Sequence, residues 1–277
     1  MSESDLTERT EHTEPAPKSE SEFKPDFNTK PKPSEKVKTE TKKKGTKHSA
    51  IQPLIDIYKQ AGLILSIGKS RQGKSFLVRY LLSYGLSHNK LKFGMVFQGS
   101  KSMNDDYSQF LPSKCIVDGY DEEKLKAYIE KLKAHKQKLV EQGKADEMPR
   151  SFLVFDDLLG QMQKSQWIDN FFALYRHLNI TVFLNVQYLR TAASSTLVRE
   201  QASFFFAFTS QSSNQIKALY DAFASVAFDK YEDFKKAYLK ATDQNYHALM
   251  WSCYGKGRGA FSIFKAPEKF ASIKFDF

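Results

Sequence analysis

Gly68-Lys69-Ser70-Arg71-Gln72-Gly73-Lys74-Ser75 constrains this chain more than any other stretch, because it fits the G-x-x-x-x-G-K-[ST] pattern at every fixed position. Just before it, Leu63 to Ile67 is an apolar run of strand length. Just after it, Phe76, Leu77, Tyr80, Leu81 and Tyr84 recur at three- and four-residue steps, the spacing of an amphipathic helix. A strand, a glycine-bearing turn and a helix in that order gather backbone N–H groups and the positive end of a helix at one point. The expected occupant is a nucleotide phosphate chain, contacted by Gly68, Lys69, Ser70, Arg71, Gln72, Gly73, Lys74, Ser75 and Phe76. Lys74 is expected to act on the β- and γ-phosphates and the Ser75 hydroxyl to ligate Mg²⁺.

A cradle of this kind needs a carboxylate from another strand end beside the Ser75 hydroxyl. Phe152-Leu153-Val154-Phe155-Asp156-Asp157 supplies it: four apolar residues, as in a strand covered on both faces, followed by two acids. Asp156 is assigned to Mg²⁺ and Asp157 to orienting and deprotonating an attacking water, although two acids after a strand also suit a helix cap. Gln187, closing the apolar run Thr181 to Val186, is a candidate to sense the γ-phosphate or position the water, and equally a turn former. An Asp at the base position argues for hydrolysis, and no lid or acceptor segment of a small-molecule kinase is evident.

The remaining chain alternates between strand-like and helix-like periodicity, which predicts an α/β fold with a mainly parallel central sheet flanked by helices. Strands are expected at Phe93 to Phe97, Cys115 to Val117, Thr181 to Val186 and Phe204 to Phe208. Helices are expected between Asp121 and Gly143, from Trp167 to Leu178, from Gln215 to Phe228 and from Tyr231 to Thr242. The first of these should bury Leu125, Tyr128, Ile129, Leu132, Leu139 and Val140 on one face. A C-terminal hairpin, His247 to Cys253 with Ala260 to Ala266, is expected around the glycine-rich, basic Gly255 to Gly259.

Residues 1–48 read as a disordered polar tail ahead of one domain spanning 49–277, because they hold almost no aliphatic residues to offset the entropy of ordering. The tail nearly cancels its own charge, so most of the net +10 belongs to the folded part. A field of that sign draws polyanions, with nucleic acid the natural one and a merely soluble basic surface the alternative. Cys115 and Cys253 have no C-x-x-C spacing, so neither a zinc site nor a disulfide framework is suggested and a reducing compartment is expected. No apolar stretch reaches membrane-spanning length, and the N-terminus is too polar for a secretory signal.

The ordered set GKSRQGKS, LVFDD, YRHLNITVFLNVQ and FFFAF resembles the FtsK/HerA superfamily, and within it the DNA-packaging ATPases of poxviruses and of virophage and Polinton-type elements. The resemblance spans roughly Leu54 to Phe208. It implies a P-loop NTPase using ATP and Mg²⁺, with Gln187 at the family's polar strand-end position. It also implies a homo-oligomeric ring threading double-stranded DNA without sequence reading, and a capsid protein partner. Arg176 matches the arginine that family members place near a neighbouring subunit's nucleotide, whereas by position alone it is a helix C-terminal cation. Arg199 is a second finger candidate. Gly255 to Gly259 suits a DNA-contacting loop, or an ordinary hairpin turn. Many relatives carry Glu where this chain has Asp157, which is shorter by one methylene. The implied place of action is host-cell cytoplasm or a viral factory, with virion association also open. A related helicase or conjugative pump, and a nucleotide-dependent assembly switch, are the competing functions.

Overall fold

The computed structural model describes residues 56–99, 107–109, 111–158, 161–162, 166–189, 196–265 and 267. The expected tail, 1–48, lies outside these residues. The sheet is built on β1 (Leu63–Ile67), buried at every position and paired in parallel with β5 (Ile180–Val186) on one side and β6 (Ala202–Phe208) on the other. Beyond β5 come β4 (Ser151–Asp156), β2 (Phe93–Gln98) and β3 (Ile116–Asp118), all parallel. Beyond β6 the direction reverses, with β7 (His247–Ser252) antiparallel to β6 and β8 (Phe261–Lys265) antiparallel to β7. The order β3-β2-β4-β5-β1-β6-β7-β8 is that of a mainly parallel sheet carrying a C-terminal hairpin.

Continuous apolar strands require cover on both faces, and the core divides accordingly. Ile64, Val96, Phe152, Val154, Phe183 and Phe206 pack with Leu77, Val78 and Leu81 of α1 (Lys74–Ser87). Leu65, Phe97, Leu153, Phe155, Leu184 and Phe205 face the other layer. That layer is α2 (Glu122–Glu141), α3 (Gln166–Leu174), α4 (Thr196–Gln201), α5 (Ser213–Leu219) and α6 (Tyr231–Ala241). Burial of one large side chain such as Phe155 or Phe172 is worth about 1.5–3 kcal/mol, so the two aromatic-rich faces fix strand register firmly.

Helix ends follow local chemistry. Asp121 caps α2 by accepting from the Lys124 N–H at 2.9 Å, and Gly143 at φ 70 ends it. Leu125, Tyr128, Ile129 and Leu132 are buried as expected, but Val140 is 53% exposed. At 100° per residue Val140 lies about 60° around from Leu125, at the margin of the stripe. The helix expected over Trp167 to Leu178 tightens after Leu174 into a 3-10 turn, Tyr175–Leu178, which turns both of those residues inward. The helix expected from Gln215 to Phe228 is α5 followed by a π turn, Tyr220–Ala224, whose extra residue lets Leu219, Ala224 and Phe228 all reach the core. Among the described residues no helix is long and apolar enough to cross a membrane.

Candidate functional site

Parallel strands all end on one edge of the sheet, and that edge carries the chemistry. The turn after β1 is held by the Gly68 N–H donating to the Val186 carbonyl at 3.2 Å. Gly73 takes φ 105, a backbone that side chains rarely adopt, and so allows α1 to begin directly after the loop. No side chain caps α1 and no acid lies in its first turn, which leaves its N–H groups for a ligand. Lys74 is buried, its Nζ donating to the carbonyls of Gly68 at 2.6 Å and Lys69 at 2.9 Å. Burial lowers its pKa from the ordinary lysine value, against the pull of Asp156 and Asp157.

Strand order brings the two acids beside this loop. Ser75 Oγ donates to Asp156 Oδ1 at 3.1 Å across 81 residues of sequence. Asp157 leaves the strand with φ 53, in the left-handed region that Asp tolerates better than most residues. The amide of Gln187 donates to Asp157 Oδ1 at 3.2 Å and to Ser70 Oγ at 3.3 Å, while its own carbonyl accepts from Gln215 Nε2 at 3.3 Å. Gly99 closes the site from β2. Its N–H donates to the Asp156 carbonyl at 2.8 Å, and a Cβ there would lie 1.7 Å from the Asp157 carbonyl oxygen.

Two supporting residues escape sequence reading. Asn185 is buried in β5 and donates Nδ2 to Asp156 Oδ1 at 2.8 Å, while the Tyr107 hydroxyl donates to Asp156 Oδ2 at 2.7 Å. Both carboxylate oxygens are thereby held. Register shows how Asn185 could have been found. An amide inside an apolar strand needs a partner, and the β4–β5 register, carried one step past Phe155–Leu184, places position 185 beside position 156.

Ser70, Arg71, Gly73, Lys74, Ser75 and Phe76 all line one cleft of about 740 Å³, with Asp156, Asp157, Tyr107 and Tyr246. Lys69 enters through its carbonyl, Gly68 packs on Phe208, and Gln72 is half-buried on the loop.

Arg176 is not part of this cleft. It lies at the opposite edge of the sheet, donating Nη2 to the Gln201 carbonyl at 2.7 Å and to Ser203 Oγ at 3.3 Å, and Nε to the Tyr175 hydroxyl at 2.9 Å. Arg199 lines a separate cleft with Leu189, Thr196, Glu200 and Asp221. The Gly255 to Gly259 turn is also at the far edge. Its Arg258 lies 3.6 Å from Asp233 and over the ring of Phe228, while Lys256 is exposed.

The comparisons agree with this architecture. The B204 DNA-packaging ATPase of Sulfolobus turreted icosahedral virus superposes with a TM-score of 0.53 over 76% of this chain and 99% of that one, at 22% identity. The genome packaging NTPase B204 of Sulfolobus turreted icosahedral virus 2 in complex with AMPPCP gives 0.52 over 74% and 98%, at 18% identity. At such identity these likenesses establish the fold, that of a P-loop NTPase. Protein 075L of Invertebrate iridescent virus 6 is 31% identical over 203 residues, 72% of this chain and 74% of that protein. Residues 56–230, well over half the sequence, match the family described as poxvirus A32 protein, and the chain belongs to that family.

Proposed function

We propose that the chain is an ATP-hydrolysing motor that translocates double-stranded DNA, packaging a viral genome into a capsid. The observation that carries this reading is the meeting of Lys74, Ser75, Asp156 and Asp157 in one cleft, with Gln187 bonded to Asp157, in a chain belonging to the poxvirus A32 family. The printed descriptions of B204 as a DNA-packaging ATPase support the same direction.

In this reading the Lys74 ammonium leaves the loop carbonyls for the β- and γ-phosphates, regaining charge partners that offset its burial. Mg²⁺ fits the donors present. Ser75 Oγ and Asp156 Oδ1 are adjacent hard oxygens, and Asn185 Oδ1 beside them is buried without a partner. Among the described residues no group of three His, Cys, Asp or Glu forms an all-protein cage, which suits an ion that shares its ligands with phosphates. Bound there, the ion would neutralise charge on the phosphate oxygens. Gln187 orients a water between Ser70 and Asp157, and Asp157 accepts its proton as the new P–O bond forms and the bond to the ADP oxygen breaks.

Within its own chain Arg176 is on the far edge of the sheet, so its role as a finger is to complete the site of a neighbouring subunit in a homo-oligomeric ring. Double-stranded DNA is held through its phosphates by the positive excess of the folded part, without base reading. A capsid protein is the expected docking partner, and host-cell cytoplasm or a viral factory the place of action.

Steady-state ATP hydrolysis with and without long double-stranded DNA tests the proposal, with Asp157→Asn as background. DNA stimulation that vanishes in the variant is the expected result. Hydrolysis indifferent to DNA would favour a nucleotide-dependent assembly switch.

A further inference from the structure

The groups that handle phosphate are arranged on one side of β1. Asp156 and Asp157 end β4, Asn185 lies in β5 and Gln187 follows it. On the other side of β1 stand β6 and β7, and they offer the loop aromatic rings instead of acids or amides. A Cβ placed on Gly68 would lie 2.8 Å from Phe208, and one on Gly73 would lie 2.8 Å from Cδ1 of Tyr246. A nucleotide with its terminal phosphate at Asp157 that extends away from the acids crosses Gly73 toward the entry of β7.

At that entry the ring of Tyr246 is waiting. Its side chain is 53% exposed, it lines the same cleft as Lys74 and Asp157, and Phe76 and Arg79 line that cleft from α1. The position is fixed by structure around it. Tyr246 takes φ 62, His247 N–H closes the preceding turn on the Gln244 carbonyl at 3.2 Å, and the Tyr238 hydroxyl of α6 donates to the Phe208 carbonyl. An exposed ring contributes little to the core, whereas one held against the phosphate loop presents an aromatic face to whatever lies over that loop.

We infer that Tyr246 stacks on the base of the bound nucleotide, favouring purines over pyrimidines through ring area. The inference rests on the nucleotide reading given above and names the part of the site that recognises the base.

The test is equilibrium binding of ATP, CTP and inorganic tripolyphosphate to the full chain and to Tyr246→Ala and Tyr246→Phe. Loss of a base–aromatic stack corresponds to roughly tenfold to a hundredfold weaker binding. Tyr246→Ala should lose ATP affinity by that factor and its preference over CTP, keep tripolyphosphate affinity, and regain neither unless an aromatic ring is restored; Tyr246→Phe should match the parent. Unchanged ATP binding in Tyr246→Ala overturns the inference, as does an equal loss for ATP and tripolyphosphate, which would mean that the ring only shapes the loop. If the parent binds neither ATP nor tripolyphosphate, the nucleotide reading itself fails and takes this inference with it.

Discussion

The side-chain amide of Gln187 lies 3.2 Å from Oδ1 of Asp157 and shares its donor with Ser70 of the phosphate loop. A polar residue at a strand end is thus wired to both the acid and the loop. Replacing it by Ala should lower kcat about tenfold to a hundredfold while changing ATP affinity little, because the interaction is needed to place a reacting water. Steady-state kinetics beside nucleotide titration would separate the two effects, and a variant altered only in affinity would contradict this role.

Asp157 makes a sharper case, because its backbone and its carboxylate impose separate demands. Asn tolerates the left-handed region, so Asp157→Asn should fold normally, bind ATP and lose most hydrolysis. Asp157→Val should in addition lose about 1–2 kcal/mol of stability to backbone strain. Thermal denaturation of the two variants checks the difference. Equal melting temperatures would remove the strain argument.

In the proposed Mg²⁺ site Asn185 holds Asp156 through Nδ2 and keeps its Oδ1 unpaired beside the metal donors. Second-shell partners of this type are typically worth about tenfold to a hundredfold in metal affinity, so Asn185→Ala should raise the Mg²⁺ concentration needed for half-maximal hydrolysis by that order. Saturating Mg²⁺ should restore much of the rate. A rate that stays low at every Mg²⁺ concentration would mean that Asn185 serves another purpose.

Cys115 gives a prediction about pH. Burial pushes its thiol up to about 12 from the ordinary 9.0. The folded value is raised above the unfolded one, so the stability this group contributes is full below pH 9 and is lost as pH climbs toward 12. The denaturant midpoint should fall across that window at a rate to which Cys115 contributes at most about 1.4 kcal/mol per pH unit, and fall less steeply in Cys115→Ala. Alkylation of the native protein at pH 8 should reach the exposed Cys253 and spare Cys115. An identical pH slope in Cys115→Ala would count against the assignment.

What could be read from sequence was whatever is local. The cradle, the two acids and the run of apolar strands each announce themselves within a few residues, because loop curvature and two-sided burial act over short stretches. Register, edge and turn depend on distant neighbours and were not visible in the same way. Asn185 and Tyr107 are linked to Asp156 by strand order, and Tyr246 approaches Gly73 from 173 residues further along the chain. Val140 fits a helical stripe by spacing, yet lies at its margin and faces water. Arg176 sits next to a tyrosine in sequence, and only the fold reveals that both belong to the edge away from the cradle.

The reversal of direction at β7 has a geometric cost and a return. Six residues of strand span about 20 Å, so a parallel β7 would begin at the edge away from the cradle and carry Tyr246 roughly that far from Gly73. Running backwards, the same segment instead enters at the phosphate edge. One change of polarity late in the chain thereby turns what would be a distal flap into a wall of the nucleotide cleft.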